Sequence, residues 1–401
     1  MRSRFKFVLA AAVGGLAITA GQIALAKKYD PGASDTEVRI GNTMPYSGPA
    51  SSFSAAGKVI GAYFQKVNDS GGVNGRKVTW LSYDDQYSPP VTVEQTRKLV
   101  EKDNVLAMMG SLGTATNTAV YRYLNQKKVP QLFLLTGAPK FSDPKGFPYT
   151  TPFTPSFDFE GRVFANQIKA TKPHAKVAVL YQNDDMGKAY LEGLKAGLAK
   201  GQIVAEESYE STDPTVDSQI VKLKSSGADV FVSFSMPRAA AQAIKKVKDI
   251  NWAVSEQYVA SASAYVKTVM EPAGVDAAKG VMSTIYFKDA SDPRWSDDPA
   301  TQEFRAFMKK YLPNEDVSNS QTVLGYTMAQ LMVYVIGAAG DELTRENILK
   351  QATNIKALKL PMLLPGIAMQ TSPTDYQLFE AFQLIKFDGK QFGPIGSPVK
   401  P

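Results

Sequence analysis

The residues whose types and spacing best fit ligand chemistry lie in one strand–loop–helix stretch. Val105–Met109 is a short apolar run typical of a buried parallel strand, Gly110–Thr114 supplies small residues and hydroxyls, and Ala115–Lys128 has helical spacing. A helix that starts directly after a strand leaves its first N–H groups unpaired, and together with the helix dipole these donors favour an anion. We interpret the loop as a seat for a carboxylate. In the simpler alternative Thr114 only caps the helix.

The reactive side chains on which most enzymes depend are scarce. The sequence contains one histidine, His174, in an expected loop, and no cysteine. A histidine-based metal site, a Ser-His triad or a thiol nucleophile therefore has little to draw on. The paired acids Asp84-Asp85 and Asp184-Asp185 fall at strand ends before helices, where Asp normally caps. We interpret both pairs as structural and expect no catalysis, no metal and no cofactor.

The first residues have the pattern of a secretory signal. Three basic residues precede the apolar stretch Phe7–Ala20, and Ala24-Leu25-Ala26 has the small-x-small form of a cleavage site. The apolar stretch is too short to favour a membrane-spanning helix. We expect residues 1–26 to be a signal peptide that is cleaved near Ala26, which exports the mature chain to the periplasm.

The rest of the chain is only mildly charged. The whole sequence has a formal net charge of +7, and loss of the three basic residues of the signal leaves +4. The densest basic cluster, Lys245-Lys246-Val247-Lys248, falls on an expected helix and is typical of a solvated face. We expect no nucleic-acid partner. A chain of 401 residues is long enough for two domains with sizeable cores.

Strands and helices alternate from Glu37 onwards, which is typical of a parallel α/β fold. After the signal, the first half is predicted to contain strands at Val38–Met44, Lys77–Asp84, Val105–Met109 and Gln131–Leu135. A passage rich in proline and aromatic residues, Phe147–Phe157, interrupts the rhythm and is interpreted as an interdomain crossing.

The alternation restarts with Lys176–Tyr181, and part of it repeats the first half at an offset of 124 residues. Pro90 corresponds to Pro214 and Ser111 to Ser235 at this offset. The repeat predicts two similar α/β domains.

The last part of the chain is predicted to return with three helices that have no strands between them, at Thr301–Lys310, Thr322–Ile336 and Thr344–Ala352. A late strand, Ala381–Phe387, is expected before a Gly- and Pro-rich tail. We therefore predict two Rossmann-like lobes joined by a hinge of several crossings. The boundaries are residues 27–152 with 286–360 for lobe 1, and 153–285 with 361–401 for lobe 2.

Several motifs then occur in a characteristic order, and together they resemble one family. They are Ser47-Gly48-Pro49, Asn68 with Gly71-Gly72-Val73-Asn74-Gly75, Tyr83-Asp84-Asp85, the Gly110–Thr116 loop, and Asp184-Asp185-Met186-Gly187. This set resembles the branched-chain amino acid type of periplasmic substrate-binding protein, the receptor of an ABC importer. The resemblance implies a type I periplasmic binding fold, with two lobes, three hinge crossings and a ligand in the cleft.

The resemblance also implies ligand-binding residues. In that family the loop after the third strand offers a hydroxyl and backbone N–H groups to the ligand carboxylate, and the loop after the fourth strand offers backbone groups. An aromatic residue follows the Ser-Gly-Pro turn, and the second lobe supplies two tyrosines, which this chain replaces with methionines. The corresponding residues are Thr114 and Ala115, then Leu135, Thr136 and Gly137, then Phe53, and finally Met186 and Met236.

One departure from the family bears on the ligand. Amino-acid binders place an acidic residue on a lobe-two loop to pair with the ligand's ammonium, and the matching stretch here, Tyr258–Ser263, has no acid. Burial of an ammonium without a carboxylate partner is costly, although Glu256 lies close in sequence. Ala262 represents this loop in the expected site.

We therefore expect a solute receptor of an ABC importer that binds a small organic acid, such as an aromatic carboxylate, and closes about its hinge. The alternative ligand is a branched-chain or other apolar amino acid, and a remote alternative is an exported α/β hydrolase. A sensory role through a membrane receptor also remains open. The expected partners are the small-molecule ligand and the permease subunits in the inner membrane, with the protein a monomer.

Overall fold

The computed structural model describes residues 28–400, so the expected signal peptide lies outside the described residues. The chain up to residue 152 alternates strands and helices. Its elements are β1 Lys28–Tyr29, β2 Glu37–Met44, α1 Ser54–Asp69, β3 Lys77–Asp84, α2 Pro89–Glu101, β4 Ala107–Met109, α3 Thr114–Gln126, β5 Gln131–Leu134 and β6 Thr150–Pro152.

The first sheet has the strand order β3-β2-β4-β5-β6, and all its pairs are parallel. Its central strands are buried on both faces because helices cover both, and they accordingly consist of apolar residues such as Ile40, Met109 and Leu132. Every strand of such a sheet ends at the same edge, so the loops after β2, β4 and β5 meet there.

The second set of elements follows directly. It consists of α4 Phe157–Thr171, β7 Val177–Gln182, α5 Asp185–Gly197, β8 Ile203–Tyr209, α6 Asp217–Ser225, β9 Val230–Phe234, α7 Pro237–Asp249, β10 Glu256–Val259, α8 Glu271–Ala273, α9 Val275–Ala278 and β11 Met282–Ile285.

The parallel part of the second sheet has the order β8-β7-β9-β10-β11, which repeats the arrangement of the first sheet strand for strand. The strands β4 and β9 occupy the same place in the two sheets, as the 124-residue offset predicts, and Ser111 and Ser235 each come two residues or fewer after them. The prediction of two similar Rossmann-like units is therefore confirmed.

The passage from residue 147 to residue 157 is more structured than the sequence indicated. Thr150–Pro152 forms β6, the edge strand of the first sheet, and Phe157 begins helix α4, which was not predicted. Pro152 fits because an edge strand does not need every N–H for pairing. The chain passes from the first sheet to the second within the short segment between these two elements.

The last part of the chain contains α10 Pro299–Tyr311, α11 Ser320–Ala339, β12 Glu342–Leu343, α12 Arg345–Ala352, β13 Phe382–Phe387 and β14 Phe392–Val399. Two predictions are wrong here. A short strand, β12, lies between the helices and pairs with β1. The Gly- and Pro-rich tail forms β14, an antiparallel edge strand beside β13. The sequence did not indicate this strand because it contains Pro394 and Pro398. Prolines are tolerated in a strand only where one of its sides is unpaired, as in this edge strand.

Helix α11 is long and apolar enough to cross a membrane, but most of it is buried within the described residues. It packs on α1 so closely that a Cβ at Gly325 would lie 2.4 Å from the backbone oxygen of Ala56. The rings of Tyr63 and Tyr326 meet edge to face with centroids 4.9 Å apart. These contacts make α11 a core helix, attached to the side of the first sheet. The exact residue boundaries of the lobes stay a prediction.

Candidate functional site

A cavity of about 330 Å³ lies where the carboxyl ends of the two sheets face each other. This volume is within the range of small-molecule binding sites, and the edge is the one at which open α/β sheets bind ligands. Loops after strands of both sheets line it. Its lining at this end includes Phe53, Tyr87, Leu112, Gly113, Thr114, Leu135, Thr136, Phe157, Met186, Met236, Ser261 and Ala262.

The polar centre of this end is a pair of buried threonines. The hydroxyl oxygens of Thr114 and Thr136 are 2.6 Å apart, and the Ala138 N–H donates to the Thr136 hydroxyl at 3.3 Å. Helix α3 begins at Thr114, so its first N–H groups, at Thr114 and Ala115, have no acceptor one turn earlier. Hydroxyls and helix N–H groups together can bind one carboxylate.

The helix cap differs from the simpler interpretation of the sequence. Gly113, with a φ of 100°, is the N-cap residue, and Thr114 is the first residue of the helix, so the Thr114 hydroxyl is not used as a cap. A Cβ at Gly113 would lie 2.4 Å from Cε2 of Tyr87. Glycine therefore permits both the backbone conformation and the close packing of the tyrosine ring.

Buried side-chain amides hydrogen-bond to the loop that forms the carboxylate seat and fix its backbone. Nδ2 of Asn117 donates to the backbone oxygens of Ser111 at 3.0 Å and Gly113 at 2.6 Å, and Nε2 of Gln131 donates to Oδ1 of Asn117 at 2.9 Å. The Thr116 hydroxyl donates to the backbone oxygen of Leu112. Because these groups are fully bonded, the loop is preorganised before any ligand arrives.

Apolar side chains from the second sheet cover the seat. Met186 is 5 % exposed, at the start of α5, and Met236 is half-buried immediately before α7. Phe157 stacks on Tyr190 with ring centroids 4.5 Å apart. Thioethers and rings of this kind form an adaptable wall for an apolar ligand body.

Tyr87 extends this wall from the first sheet across the cleft. Gln86 and Tyr87 have φ values of 55° and 58°, an uncommon conformation for two consecutive residues with side chains. Burial raises the pKa of the Tyr87 phenol, and the carboxylate of Asp184 adds to the shift. The Tyr87 phenol thus interacts electrostatically with a carboxylate of the other lobe.

The paired acids are structural, as the sequence indicates. Oδ1 of Asp84 accepts from the N–H groups of Tyr46 and Gln86 at 3.0 Å and 2.9 Å. Asp184 is the N-cap of α5 and accepts from the Gly187 N–H at 3.0 Å. His174 is exposed in a turn. Among residues 28–400 no group of acids or histidine is arranged to hold a metal ion.

Two acids of the second lobe, Glu256 and Glu160, are bonded to groups other than the threonine pair. Glu256 lies at the start of β10, where it accepts from the hydroxyls of Tyr258 at 2.6 Å and Thr171 at 3.1 Å. Glu160 is buried behind the lobe-two loop. It accepts the N–H of Ser261 at 2.6 Å, the Ser261 hydroxyl at 2.7 Å and the Tyr190 hydroxyl at 3.1 Å. Desolvation raises the pKa of Glu160, while the bonds from Ser261 oppose that shift.

The structure brings most of the expected site residues to this cavity. Seven of them line it: Phe53, Thr114, Leu135, Thr136, Met186, Met236 and Ala262. Ala115 and Gly137 do not. Ala115 lies one residue further into α3, and Gly137 is packed where a Cβ would lie 2.1 Å from the backbone oxygen of Pro155. Neither residue therefore lines the cavity.

Several lining residues were not expected from the sequence. Tyr87 comes two residues after the Asp84-Asp85 motif, and this position was the available signal. Tyr265, Tyr286, Arg294 and Trp295 also line the cavity but belong to loops and crossings without a recognisable motif. The Tyr265 hydroxyl accepts from Nε2 of Gln321 at 2.7 Å, which links the lobe-two loop to helix α11.

Comparison with known proteins agrees with this architecture. Residues 37–391 match the model of a family described as periplasmic binding protein. A relative from Brucella abortus, named Leu/Ile/Val-binding protein homolog 7, is 21 % identical over 310 residues, which cover 74 % of this chain and 76 % of the relative.

Two solved structures share the fold. A branched-chain amino acid ABC transporter protein from Thermus thermophilus with bound valine has a TM-score of 0.81 at 19 % identity, covering 91 % of this chain and 97 % of that one. A fatty acid ABC transporter substrate-binding protein from Thermomonospora curvata has a TM-score of 0.78 at 20 % identity, covering 94 % and 95 %.

The chain therefore belongs to the periplasmic binding protein family. It has the type I periplasmic binding fold and resembles the branched-chain amino acid type of ABC transporter binding protein. It is a periplasmic substrate-binding protein and not an enzyme, which agrees with the scarcity of catalytic residues in its sequence.

Proposed function

We propose that this protein is the receptor of an ABC importer for a small carboxylate that has an apolar body and no α-ammonium group. In this proposal Thr114, Thr136 and the first N–H groups of α3 bind the carboxylate. Phe53, Met186 and Met236 enclose the apolar body as the two lobes close. The N–H of Ala115 and the backbone of Gly137 add donors and acceptors at the same end.

The observation that supports this ligand class is that Glu160 and Glu256, the acids within and behind the lobe-two stretch, are already engaged in hydrogen bonds. The lobe-two loop contributes Ser261 and Ala262, and the carboxylate behind it, Glu160, already accepts three hydrogen bonds. Glu256 is bonded elsewhere. An α-ammonium group next to a bound carboxylate would lose its water without gaining an anionic partner, which is costly.

Apolar amino acids are the second candidate ligand, and specific observations favour them. The Thermus thermophilus protein of the same fold is described with bound valine, and the Brucella relative is named for leucine, isoleucine and valine. The Thermomonospora curvata protein is named for fatty acids, which are carboxylates without an ammonium group. The fold therefore occurs in proteins named for both ligand classes.

Matched ligand pairs test the proposal. Isocaproate is leucine without its ammonium group, and phenylpropanoate is the corresponding form of phenylalanine. We expect calorimetric titration of the mature protein to give at least about tenfold tighter binding for the member of each pair that lacks the ammonium group. The reason is that burial of an unpaired ammonium costs more than about 1.4 kcal/mol. Saturation with the tighter ligand should raise the melting temperature of the protein by several degrees relative to the ligand-free protein. Tighter binding of leucine than of isocaproate would instead establish the amino-acid function.

Delivery to permease subunits and a monomeric state complete the proposal. A receptor that closes about its ligand presents both lobes at the mouth of the cleft, and this surface is where we expect the permease to dock. Light scattering of the mature protein tests the monomer. Ligand uptake by membrane vesicles that contain the permease encoded by adjacent genes tests transport. Failure of uptake despite tight binding would favour a sensory role.

A further inference from the structure

The cavity continues beyond the carboxylate seat into a second part, which we call the distal chamber. It is lined by Asp289, Arg294, Trp295, Ile385, Phe392 and Pro394. These residues come from the crossing that follows β11 and from the terminal strands β13 and β14. None of them belongs to the loops that surround Thr114, so this chamber is a separate construction at the other end of one cavity.

The two parts are connected along the wall of the second lobe. Ala264 and Tyr265 leave the lobe-two loop, and Ile285 continues the lining at the end of β11. Since β11 pairs antiparallel with β13, with Ile285 opposite Gln383, the wall passes directly onto the terminal strands. At the far end Pro394 and Pro398 are exposed, so the chamber opens towards solvent there.

The positively charged group of the distal chamber is Arg294. Its Nε donates to Oδ2 of Asp292 at 2.7 Å, and its Nη2 bonds the same carboxylate and also the backbone oxygen of Phe392, at 3.1 Å. Asp292 is almost fully buried, with 3 % of its side chain exposed, whereas 43 % of the Arg294 side chain is exposed. The hydrogen bonds of Arg294 within residues 28–400 use Nε and Nη2, which leaves the Nη1 donors of this cavity-lining side chain available to a ligand.

The charge of the chamber selects against a second anion. Arg294 is neutralised by Asp292, and Asp289 adds a further carboxylate to the lining. Oδ1 of Asp289 accepts from the N–H and hydroxyl of Ser291 at 2.8 Å and 2.7 Å, so its charge is kept in place. The three side chains sum to one negative charge. A second carboxylate would be repelled, while a neutral oxygen could still accept from Arg294.

From this geometry we infer that the ligand is an extended monocarboxylate with a neutral oxygen function, a hydroxyl, ether or carbonyl, at the end far from its carboxylate. The carboxylate binds at Thr114 and Thr136, the apolar body passes Tyr265 and Ile285, and the distal oxygen accepts from Arg294. This inference rests on the proposed function, because it takes the carboxylate seat as the anchor of the ligand.

Three matched series of linear acids test it by calorimetric titration of the mature protein. The series are hexanoate, octanoate and decanoate, their ω-hydroxy forms, and their α,ω-dicarboxylates. At the chain length that spans the cavity we expect the ω-hydroxy acid to bind about tenfold tighter than the plain acid, as a hydrogen bond to a charged donor provides. The dicarboxylate of that length should bind more weakly than the hydroxy acid.

Two variants assign the effect to Arg294. Arg294→Met removes all donors but leaves Asp292 buried without its partner, so it can also lower stability. Arg294→Lys keeps a cation for Asp292 while withdrawing the second nitrogen of the fork. In Arg294→Lys the preference for the hydroxy acid should fall to within about twofold of unity, with octanoate affinity retained. The exposed Arg97→Lys on α2 is the matched control and should keep the full preference.

The outcomes separate the two proposals. If plain acids bind and the hydroxy acids gain nothing at any length, or if the preference survives Arg294→Lys, the distal inference is wrong and the proposed function stands. Tightest binding of a dicarboxylate also overturns the inference. If no acid of any series binds while leucine does, the proposed function fails and this inference fails with it.

Discussion

The two ends of the cavity are built by different means. The carboxylate seat uses a helix N-terminus and two threonines that are each 2 % exposed, above a layer of bonded amides. The distal chamber uses side chains of a crossing and of the last two strands, and its central residue, Arg294, is nearly half exposed. The first end is rigid and buried, whereas the second is partly open to solvent.

This difference suggests a division of labour within the site. A seat made of backbone and hydroxyl groups recognises a carboxylate whatever the rest of the ligand is. The side chains at the other end can vary without disturbing the parallel strands, so they determine which body is accepted. Breaking the seat should therefore abolish binding of every ligand, while changes at the chamber or the rim should alter preference or affinity by smaller factors.

The largest effect is expected from Gly113→Ala. The new Cβ would lie 2.4 Å from Tyr87 Cε2 and 2.7 Å from the Thr116 hydroxyl, at a φ of 100°. The loop must shift, and the donors of the seat shift with it. We expect the affinity for any carboxylate ligand to fall by about a hundredfold or more, since a displacement of an ångström in a positioned site has effects of this size. Calorimetry measures it.

Gly71→Ala is the matched control. Gly71 has the same φ of 100°, but nothing lies within 4 Å of its Cβ position. Both substitutions impose backbone strain of about 1–3 kcal/mol, which should lower the two melting temperatures comparably. Only Gly113→Ala also creates a collision at the seat. Equal losses of affinity in both variants would show that strain, and not the displaced seat, controls binding.

The next effect tests the hydroxyl pair directly. Thr114→Val and Thr136→Val keep the shape and remove one hydroxyl each, so each should weaken carboxylate binding by about tenfold or more. Thr96→Val in α2 is the control, because the Thr96 hydroxyl is buried without a hydrogen-bond partner. Titration of each variant with isocaproate gives the ratio. Unchanged affinity in both seat variants would place the carboxylate elsewhere in the cavity.

The seat was predictable from the sequence because its structure is local. The strand, the small-residue loop and the helix are consecutive from Val105 to Gln126, and the helix N-terminus follows from their order alone. The two methionines, Met186 and Met236, came from the family resemblance and not from the local pattern. What the sequence did not reveal was the cap at Gly113, since that depends on a positive φ and on contact with Tyr87, a residue from another loop.

The distal chamber was not predictable for the opposite reason. Arg294 and Trp295 lie between β11 and α10, where no periodic pattern fixes their direction, and they meet Phe392 only because β14 pairs with β13. The strand β14 itself was interpreted as a tail, since Pro394 and Pro398 speak against a strand unless it lies at an edge. Long-range pairing decides both features, and a single sequence does not show it.

Glu160 links the lobe-two loop to the interior of the second lobe. Its substitution tests whether this buried carboxyl makes the stability of the protein depend on pH. Burial raises the pKa of Glu160 above its ordinary value of 4.5. The folded protein therefore keeps this proton over a pH range in which the unfolded chain has released it. The stabilising contribution of Glu160 to the free energy of unfolding is fully present below its ordinary pKa. This contribution falls as the pH rises towards the pKa of Glu160 in the folded protein.

Glu160→Gln removes this titration. Chemical denaturation from pH 4 to pH 8 should show a smaller loss of stability with rising pH than in the unmodified protein, by at most about 1.4 kcal/mol per pH unit. The exposed Glu192→Gln on α5 is the control and should leave the slope unchanged. Parallel curves for Glu160→Gln and the unmodified protein would mean that Glu160 does not titrate in this window.

The smallest effect is expected at the rim, where an ion pair joins the lobes. Nζ of Lys140, in the turn after β5, bonds Oδ2 of Asp185, the first residue of α5. The side chains are 29 % and 56 % exposed, so water and salt screen their attraction. Lys140→Gln should therefore weaken ligand binding by no more than about fivefold, and the difference from the unmodified protein should vanish at high salt. Calorimetry with isocaproate at low and high ionic strength measures both values. A salt-independent loss as large as that of Thr114→Val would mean that closure depends on this pair as much as on the seat, because only a desolvated contact escapes screening.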